Sequence, residues 1–129
     1  MTIMPVRLRL SRLKGFDLQA LSLATNGLPA VRVTRPGPFG NPFSVMPDQK
    51  PGTSFGHPGL NQTFAVPTAE NAVACFDEMM DLPGEGADAR RALLPKLRGK
   101  NVACFCPLDR PCHGDVWLRR ANALVCEPI

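Results

Sequence analysis

Three cysteines and a histidine lie close together near the end of this chain and form its most reactive set of side chains. They are Cys104, Cys106, Cys112 and His113, within the stretch NVACFCPLDRPCHGDV of residues 101–116. A thiolate is a nucleophile and a ligand for soft metal ions, and an imidazole can accept a proton or bind the same metals. The stretch therefore predicts a site for thiol chemistry or for metal binding.

Three interpretations of this stretch are open. In the first, Cys112 is a reactive thiolate, His113 its base, Cys106 an assisting thiol and Asp115 a further acid or base. In the second, Cys104, Cys106, Cys112 and His113 bind zinc, although the C-x-C spacing and the adjacency of Cys112 and His113 are unusual for such a site. In the third, the cysteines are small buried apolar residues and His113 bonds to the backbone, an interpretation favoured for Cys104 alone.

A second motif, RPGPFGNPF at residues 35–43, follows a predicted strand. A glycine-rich turn lets a ligand approach the backbone, and Arg35 can pair with a phosphate or a carboxylate. The sequence patterns of common phosphate-binding loops are absent from it. The alternative is a rigid turn in which Asn41 bonds its own backbone and Phe39 and Phe43 pack inward.

The elements that must position these motifs alternate between strands and helices. Periodicity and capping signals predict strands at residues 6–11, 29–35 and 101–106 and helices at 17–27, 67–81, 88–99 and 112–124. We expect Asp88 to cap the third helix, Asp115 to pair with Arg119, and residues 46–67 to form a long surface loop. The order predicts one α/β domain, residues 1–129, with a short, mainly parallel sheet flanked by helices in Rossmann-like layering.

This arrangement brings the last strand and the last helix together at the reactive stretch. Cys104 and Cys106 point the same way along a strand because successive side chains alternate. Cys112 lies at the start of a helix, where unpaired N–H groups and the helix dipole favour negative charge and lower thiol pKa values. The junction of strand and helix is therefore the predicted site.

Composition limits the partners and the compartment. The chain has 129 residues, a net charge of +4 and five cysteines. A basic protein can bind a phosphate-bearing partner, but the basic residues are scattered, and one tryptophan with no tyrosine offers little for stacking on single-stranded nucleic acid. An odd, clustered cysteine set is typical of a reducing compartment, and no apolar run has the length of a membrane span. We expect a cytoplasmic protein with no membrane contact.

The two motifs in this order resemble the domain-of-unknown-function family 4326 of small bacterial and phage proteins. The resemblance covers about residues 30–124, and phenylalanine stands at 39 and 105 where the family often has tryptophan. It implies a fold rather than an activity. The positions that it marks in this chain are Arg35, Gly40, Asn41, Pro42, Phe43, Cys104, Cys106, Cys112, His113 and Asp115.

The resemblance also implies that the turn motif and the cysteine motif meet. By analogy with ligand sites in open α/β sheets, Arg35, Asn41 and Cys112 are expected in one pocket at the strand ends. The leading hypothesis is a ligand-binding enzyme with an anionic or nucleotide-like ligand, the turn residues 35 and 40–43 holding it and the Cys–His pair reacting. The alternative is a non-catalytic module stabilised by zinc, the one candidate cofactor, for protein or nucleic-acid contacts in mobile elements.

Overall fold

The computed structural model describes residues 3–35, 38–56 and 62–123 of the chain. The elements, numbered in chain order, are β1 Arg7–Arg9, α1 Leu18–Asn26, β2 Ala30–Arg32, β3 Phe43–Val45, β4 Ser54–Phe55, β5 Thr63–Val66, α2 Ala69–Met79, α3 Glu85–Arg91, α4 Leu94–Leu97, β6 Asn101–Cys104 and α5 His113–Asn122. Strands and helices alternate near the two ends of the chain, and between them the strands β2–β5 are followed by the helices α2–α4.

The first sheet is parallel, with strand order β1-β6-β2. In its register Arg7 lies opposite Val102, and Ala30 lies opposite Asn101. All four residues of β6 are buried, as expected for a central parallel strand covered on both faces. The apolar run NVACFC was predicted to be such a strand, and the prediction is confirmed.

Helices cover both faces of this sheet. On one face Leu8, Leu10, Ala30 and Ala103 form a small cluster against which Leu18 of α1 packs. On the other face, residues of β6 join α2 and α5 in the main core, which contains Val33, Phe76, Leu97, Val102, Cys104, Cys112, Val116, Trp117 and Ala121. The alternation of side chains along β6 thus divides its residues between two cores. The predicted α/β fold class is confirmed.

The second sheet contradicts part of the loop prediction. Its strand order is β3-β5-β4, with β3 and β5 parallel and β4 antiparallel to β5. Residues 46–67 therefore do not form a loop throughout, because β4 and β5 lie within them and Ala65 and Val66 are buried. The proline and glycine content concealed strands that are only two and four residues long.

The helix boundaries follow local capping chemistry, with one correction. Gly27 ends α1 in the left-handed conformation, with φ of 79°, and the Thr68 side chain accepts a hydrogen bond from the Asn71 N–H at the start of α2. The expected cap at Asp88 is wrong: α3 begins at Glu85, so Asp88 lies inside it and pairs with Arg91. A carboxylate in the first turn still favours the helix through the dipole.

The ion pairs around α5 differ from the helical spacing rule. Asp115 was expected to pair with Arg119, four positions later. Its carboxylate instead lies 3.0 Å from Nε of Arg7 on β1, and Arg119 pairs with Asp77 of α2. Asp115 and Arg119 thus pair with residues of other elements and not with each other, because α5 packs between β1 and α2. Within the described residues, no helix is long and apolar enough to cross a bilayer.

Candidate functional site

The sulfur atoms of Cys104, Cys106 and Cys112 lie within 4.8 Å of one another. Cys104 ends β6, Cys106 lies two positions further on the same side, and Cys112 is the N-cap of α5, so the sheet and the helix bring the three together. The closest pair is Cys104 and Cys112, with 2.8 Å between their sulfurs. Cys104 and Cys112 are buried, whereas Cys106 is half-buried. Such a group of thiols can hold a metal ion.

The three thiols differ in pKa. The hydrogen bond from Cys112 lowers the pKa of Cys104 to about 6 despite its burial, and a backbone N–H and Arg7 act in the same direction. The same contact with Cys104, together with burial, raises the pKa of Cys112 although the Gly114 N–H points at its sulfur. Burial raises the pKa of Cys106 as well. Hydrogen bonds from Cys112 and Arg7 therefore stabilise a negative charge on Cys104.

Arg7 is buried beside the cluster and binds the loop that follows β6. Its side chain is 7% exposed, and its NH1 lies 3.9 Å from Cys104 Sγ. The guanidinium donates to four backbone carbonyls of this loop, those of Cys106, Pro107, Leu108 and Arg110. Sequence reasoning missed this residue because Val-Arg-Leu-Arg-Leu reads as a strand whose arginines face solvent.

His113 is buried among backbone carbonyls. Its Nε2 lies 2.7 Å from the Val33 oxygen and 3.1 Å from the Phe39 oxygen, which places a proton on Nε2 because both neighbours only accept. Burial lowers the pKa of His113 to about 4, so the ring is neutral at pH 7. Its Nδ1 lies 3.9 Å from Cys112 Sγ, but within the described chain the group able to hold a metal consists of the three cysteines without His113.

A cavity of about 410 Å³ opens beside the cysteines at the carboxyl ends of β2 and β6. It brings together residues from both motifs: Arg35, Asn41 and Phe43 from the turn, and the three cysteines and His113 from the final stretch. The remaining lining residues are Thr34, Val45, Ala69, Ala72, Val73, Phe105 and Pro111. Two marked turn residues, Gly40 and Pro42, are buried beside it without lining it, and Asp115 lies outside it on Arg7.

The turn is rigid where the structure describes it, which excludes residues 36–37. The Asn41 side chain accepts a hydrogen bond from the Phe43 N–H at 2.8 Å and donates to the Ala72 carbonyl at 3.2 Å. The Phe39 ring meets Trp117 edge-on with 5.5 Å between ring centroids. These contacts match the rigid-turn alternative, so Asn41 shapes the cavity wall with its side-chain amide already bonded to the protein.

The charged groups of the described cavity wall are Arg35 and the cysteine thiols. Arg35 is exposed, and within the part of the chain that the structure describes it forms no ion pair. None of the described lining residues is a carboxylate, and His113 is neutral. The N-terminus of α5 adds its partial positive charge from the same side. Arg35 and the N-terminus of α5 therefore contribute positive charge to the cavity wall, and the Cys104 thiolate contributes negative charge.

Comparison with known proteins gives one match. The family model for a domain of unknown function, DUF4326, matches residues 22–123, which covers both motifs and begins after Arg7. No curated protein and no solved structure matches the chain. Because the match spans most of the sequence, the chain belongs to the DUF4326 family.

Proposed function

We propose that Cys104, Cys106 and Cys112 hold a zinc ion in the wall of the cavity and that the protein binds a small anionic, nucleotide-like ligand beside it. One observation carries the proposal: three sulfurs from separate positions in the chain lie within 4.8 Å of one another at an open cavity. Zinc–sulfur bonds of about 2.3 Å in a tetrahedron separate the sulfurs by about 3.8 Å. The sulfurs of Cys104 and Cys112, 2.8 Å apart, would therefore separate by about 1 Å to hold the ion.

Three protein ligands leave one of four zinc positions for another molecule. Structural zinc sites are closed by four protein ligands, whereas sites that bind an exogenous ligand keep one position open. His113 does not supply a fourth ligand in this arrangement, because its Nε2–H is bonded to carbonyls and its Nδ1 is outside the cysteine group. The open position therefore belongs to the cavity side.

The remaining cavity wall defines the ligand. Arg35 is suited to a phosphate or a carboxylate, and none of the described lining residues is a carboxylate. Phe43, Val45 and Val73 also line the cavity and provide an apolar surface for a ring or an alkyl group. A small anion with an apolar part fits both surfaces.

The reactive Cys–His pair expected from the sequence is not part of this proposal. Cys112 holds its proton more tightly than an ordinary cysteine, and His113 uses its Nε2–H to hold the turn. Asp115 lies outside the cavity on Arg7 and does not reach a ligand bound there. A zinc ion held by Cys104, Cys106 and Cys112 would supply Lewis-acid chemistry at the centre instead.

Metal analysis of untagged protein tests the metal site. We expect about one equivalent of zinc in the wild type, loss of zinc in Cys104→Ser, Cys106→Ser and Cys112→Ser, and retention in His113→Gln. Cys75→Ser is the matched control, since Cys75 is a half-buried free cysteine of α2 outside the cluster. Absence of zinc from the wild type, after reconstitution under reducing conditions, contradicts the proposal.

Calorimetric titration with adenosine monophosphate and with inorganic phosphate tests the ligand site. We expect Arg35→Gln to weaken binding at least tenfold, because a paired phosphate loses its charged partner. Arg32→Gln is the matched control: Arg32 is exposed at the end of β2 and does not line the cavity. Equal weakening in both variants would indicate a general effect of net charge instead of a site.

A further inference from the structure

We propose that Arg7 is the positioning residue of the zinc centre: it fixes the loop that carries Cys106 to the cluster and supplies the positive charge that offsets the third thiolate. The inference rests on the proposed zinc site and assigns a function to a residue outside the stretch shared with the family. It is supported by the hydrogen bonds, the burial and the charge of the Arg7 side chain.

The hydrogen bonds of Arg7 use the complete donor set of a guanidinium. The group has five N–H donors, and five oxygens accept them. Nε donates to Asp115 Oδ1 at 3.0 Å, NH1 donates to the Cys106 and Pro107 carbonyls, and NH2 donates to the Leu108 and Arg110 carbonyls. The loop thus wraps its carbonyls around one planar group. Lysine, with three donors and no planar fork, cannot replace this arrangement.

These bonds determine where Cys106 lies. Cys106 comes after the end of β6, so no strand pairing fixes its position. Its own carbonyl is 3.4 Å from Arg7 NH1, and the next carbonyl, of Pro107, is 3.2 Å away. Without these hydrogen bonds the backbone at Cys106 is no longer held in place, and the Cys106 sulfur is no longer held beside the other two. Arg7 therefore controls the preorganisation of the site.

The charge of Arg7 matches what a three-thiolate zinc centre needs. Zinc carries two positive charges and three thiolates carry three negative ones, so the centre has a net charge of −1. A buried negative charge is unfavourable unless an opposite charge lies nearby. Arg7 NH1 lies 3.9 Å from Cys104 Sγ, its side chain is 7% exposed, and its Asp115 partner faces solvent. Arg7 is therefore a cation in direct contact with one of the three sulfurs.

Close packing against α5 holds the arginine in place. A Cβ atom added at Gly114 would lie 3.1 Å from Cδ of Arg7, 3.4 Å from Val102 Cγ2 and 3.5 Å from Cys112 Sγ. The absence of a side chain at 114 leaves room for the Arg7 alkyl chain against the first turn of α5. A Gly114→Ala variant keeps every donor of Arg7 but pushes its alkyl chain by a few tenths of an ångström.

The test is metal affinity, measured by competition with a chromogenic chelator and by the thiolate-to-cobalt charge-transfer band of Co²⁺-loaded protein. We expect Arg7→Met to bind zinc about 10–100-fold more weakly, the range for residues that support metal ligands. Arg7→Lys keeps the charge and loses the loop contacts, so it should lie between Arg7→Met and the wild type. Both should alter the Co²⁺ band, because the position of Cys106 changes.

Arg91→Met is the matched control. Arg91 also donates to two backbone carbonyls, of Met80 and Leu82, and pairs with Asp88, but it lies on α3 and contacts none of the sulfurs. A similar loss of stability with unchanged zinc affinity is expected. If Arg91→Met weakens zinc as much as Arg7→Met does, the effect is general destabilisation and the inference is overturned.

The remaining outcomes are also decisive. If the wild type binds zinc and Arg7→Met binds it within twofold of the wild type, the Arg7 inference fails while the proposed function stands. If the wild type binds no zinc, both fail. If Arg7→Met does not fold, Arg7→Lys and Gly114→Ala decide the question: unchanged affinity and an unchanged Co²⁺ band in both would overturn the inference, and weaker binding in both would support it.

Discussion

Replacing Asn101 by alanine should destabilise the protein strongly, although residue 101 lies at the end of β6 away from the cysteines. The Asn101 side chain is fully buried and connects three parts of the chain. Its Oδ1 accepts from the Val6 N–H at 2.9 Å and from Asn26 Nδ2 at 2.9 Å. Its Nδ2 donates to Ser22 Oγ at 2.7 Å and to Asn26 Oδ1 at 2.8 Å.

The magnitude follows from these four bonds. Each buried hydrogen bond contributes about 1 kcal/mol net, and unsatisfied partners add to the loss. Alanine at position 101 removes these four hydrogen bonds. It leaves the Val6 N–H and the side-chain oxygen and nitrogen of Asn26 without their Asn101 partner. We expect the free energy of unfolding to fall by about 3–4 kcal/mol, which is a large part of the ~5–15 kcal/mol typical of a domain.

Urea unfolding followed by fluorescence measures this loss, because Trp117 is the single tryptophan and is fully buried. Asn122→Ala is the control: the Asn122 side chain makes two hydrogen bonds, to the Gly99 N–H and the Leu118 carbonyl, in a less buried position. Its loss should be about 1–2 kcal/mol. A loss below about 1 kcal/mol for Asn101→Ala would refute the reasoning, since it would show that water replaces the buried network.

Three further predictions concern stability. Hydrogen bonds from Arg120 lower the pKa of Asp81, and they lower the pKa of Asp77 against the opposite effect of burial. The stability that these two ion pairs give the folded protein is therefore fully present above the pKa of an ordinary aspartate and is lost as the pH falls below it. Urea midpoints should therefore fall from about pH 5 downward, and less steeply in Arg120→Met. Gly27→Ala should cost about 1–2 kcal/mol in the same assay because Gly27 has φ of 79°. Trp117→Phe should cost about 2 kcal/mol by circular dichroism, because the Phe39 carbonyl loses the indole N–H that donates to it from 2.8 Å.

Local patterns were sufficient to predict most of the parallel sheet and its helices. The apolar run at 101–104, the cap at Thr68 and the stop at Gly27 depend on neighbouring residues, and the structure has each of them. The short strands β4 and β5 depend on pairing between distant residues in a segment rich in proline and glycine. No local pattern distinguishes such strands from a loop, which explains why residues 46–67 were misassigned.

In the candidate site too, the features that depend on neighbouring residues were predicted and those that depend on distant residues were not. The C-x-C spacing on a strand and the helix start at Cys112 predicted that three sulfurs share one side, and these sulfurs form the group in the structure. The expected Asp115–Arg119 pair followed a valid spacing rule, but Arg7 offered a more buried partner. The role of Arg7 depends on a strand partner almost the whole chain away, and an alternating strand pattern contains no sign of that contact.

The order of strands in the first sheet has a consequence for how the protein is made. The central strand β6 lies between β1 and β2, and its Asn101 bonds to Val6, 95 residues earlier, and is near Leu28, 73 residues earlier. Contacts of such high sequence separation slow folding because long loops must close first. During synthesis, β1 and β2 must leave the ribosome and wait without their shared neighbour until residues 101–104 emerge. The thiols and their arginine therefore meet only after β6 and the start of α5 have been synthesised, and slower translation of that segment would prolong the exposure of the two waiting strand edges.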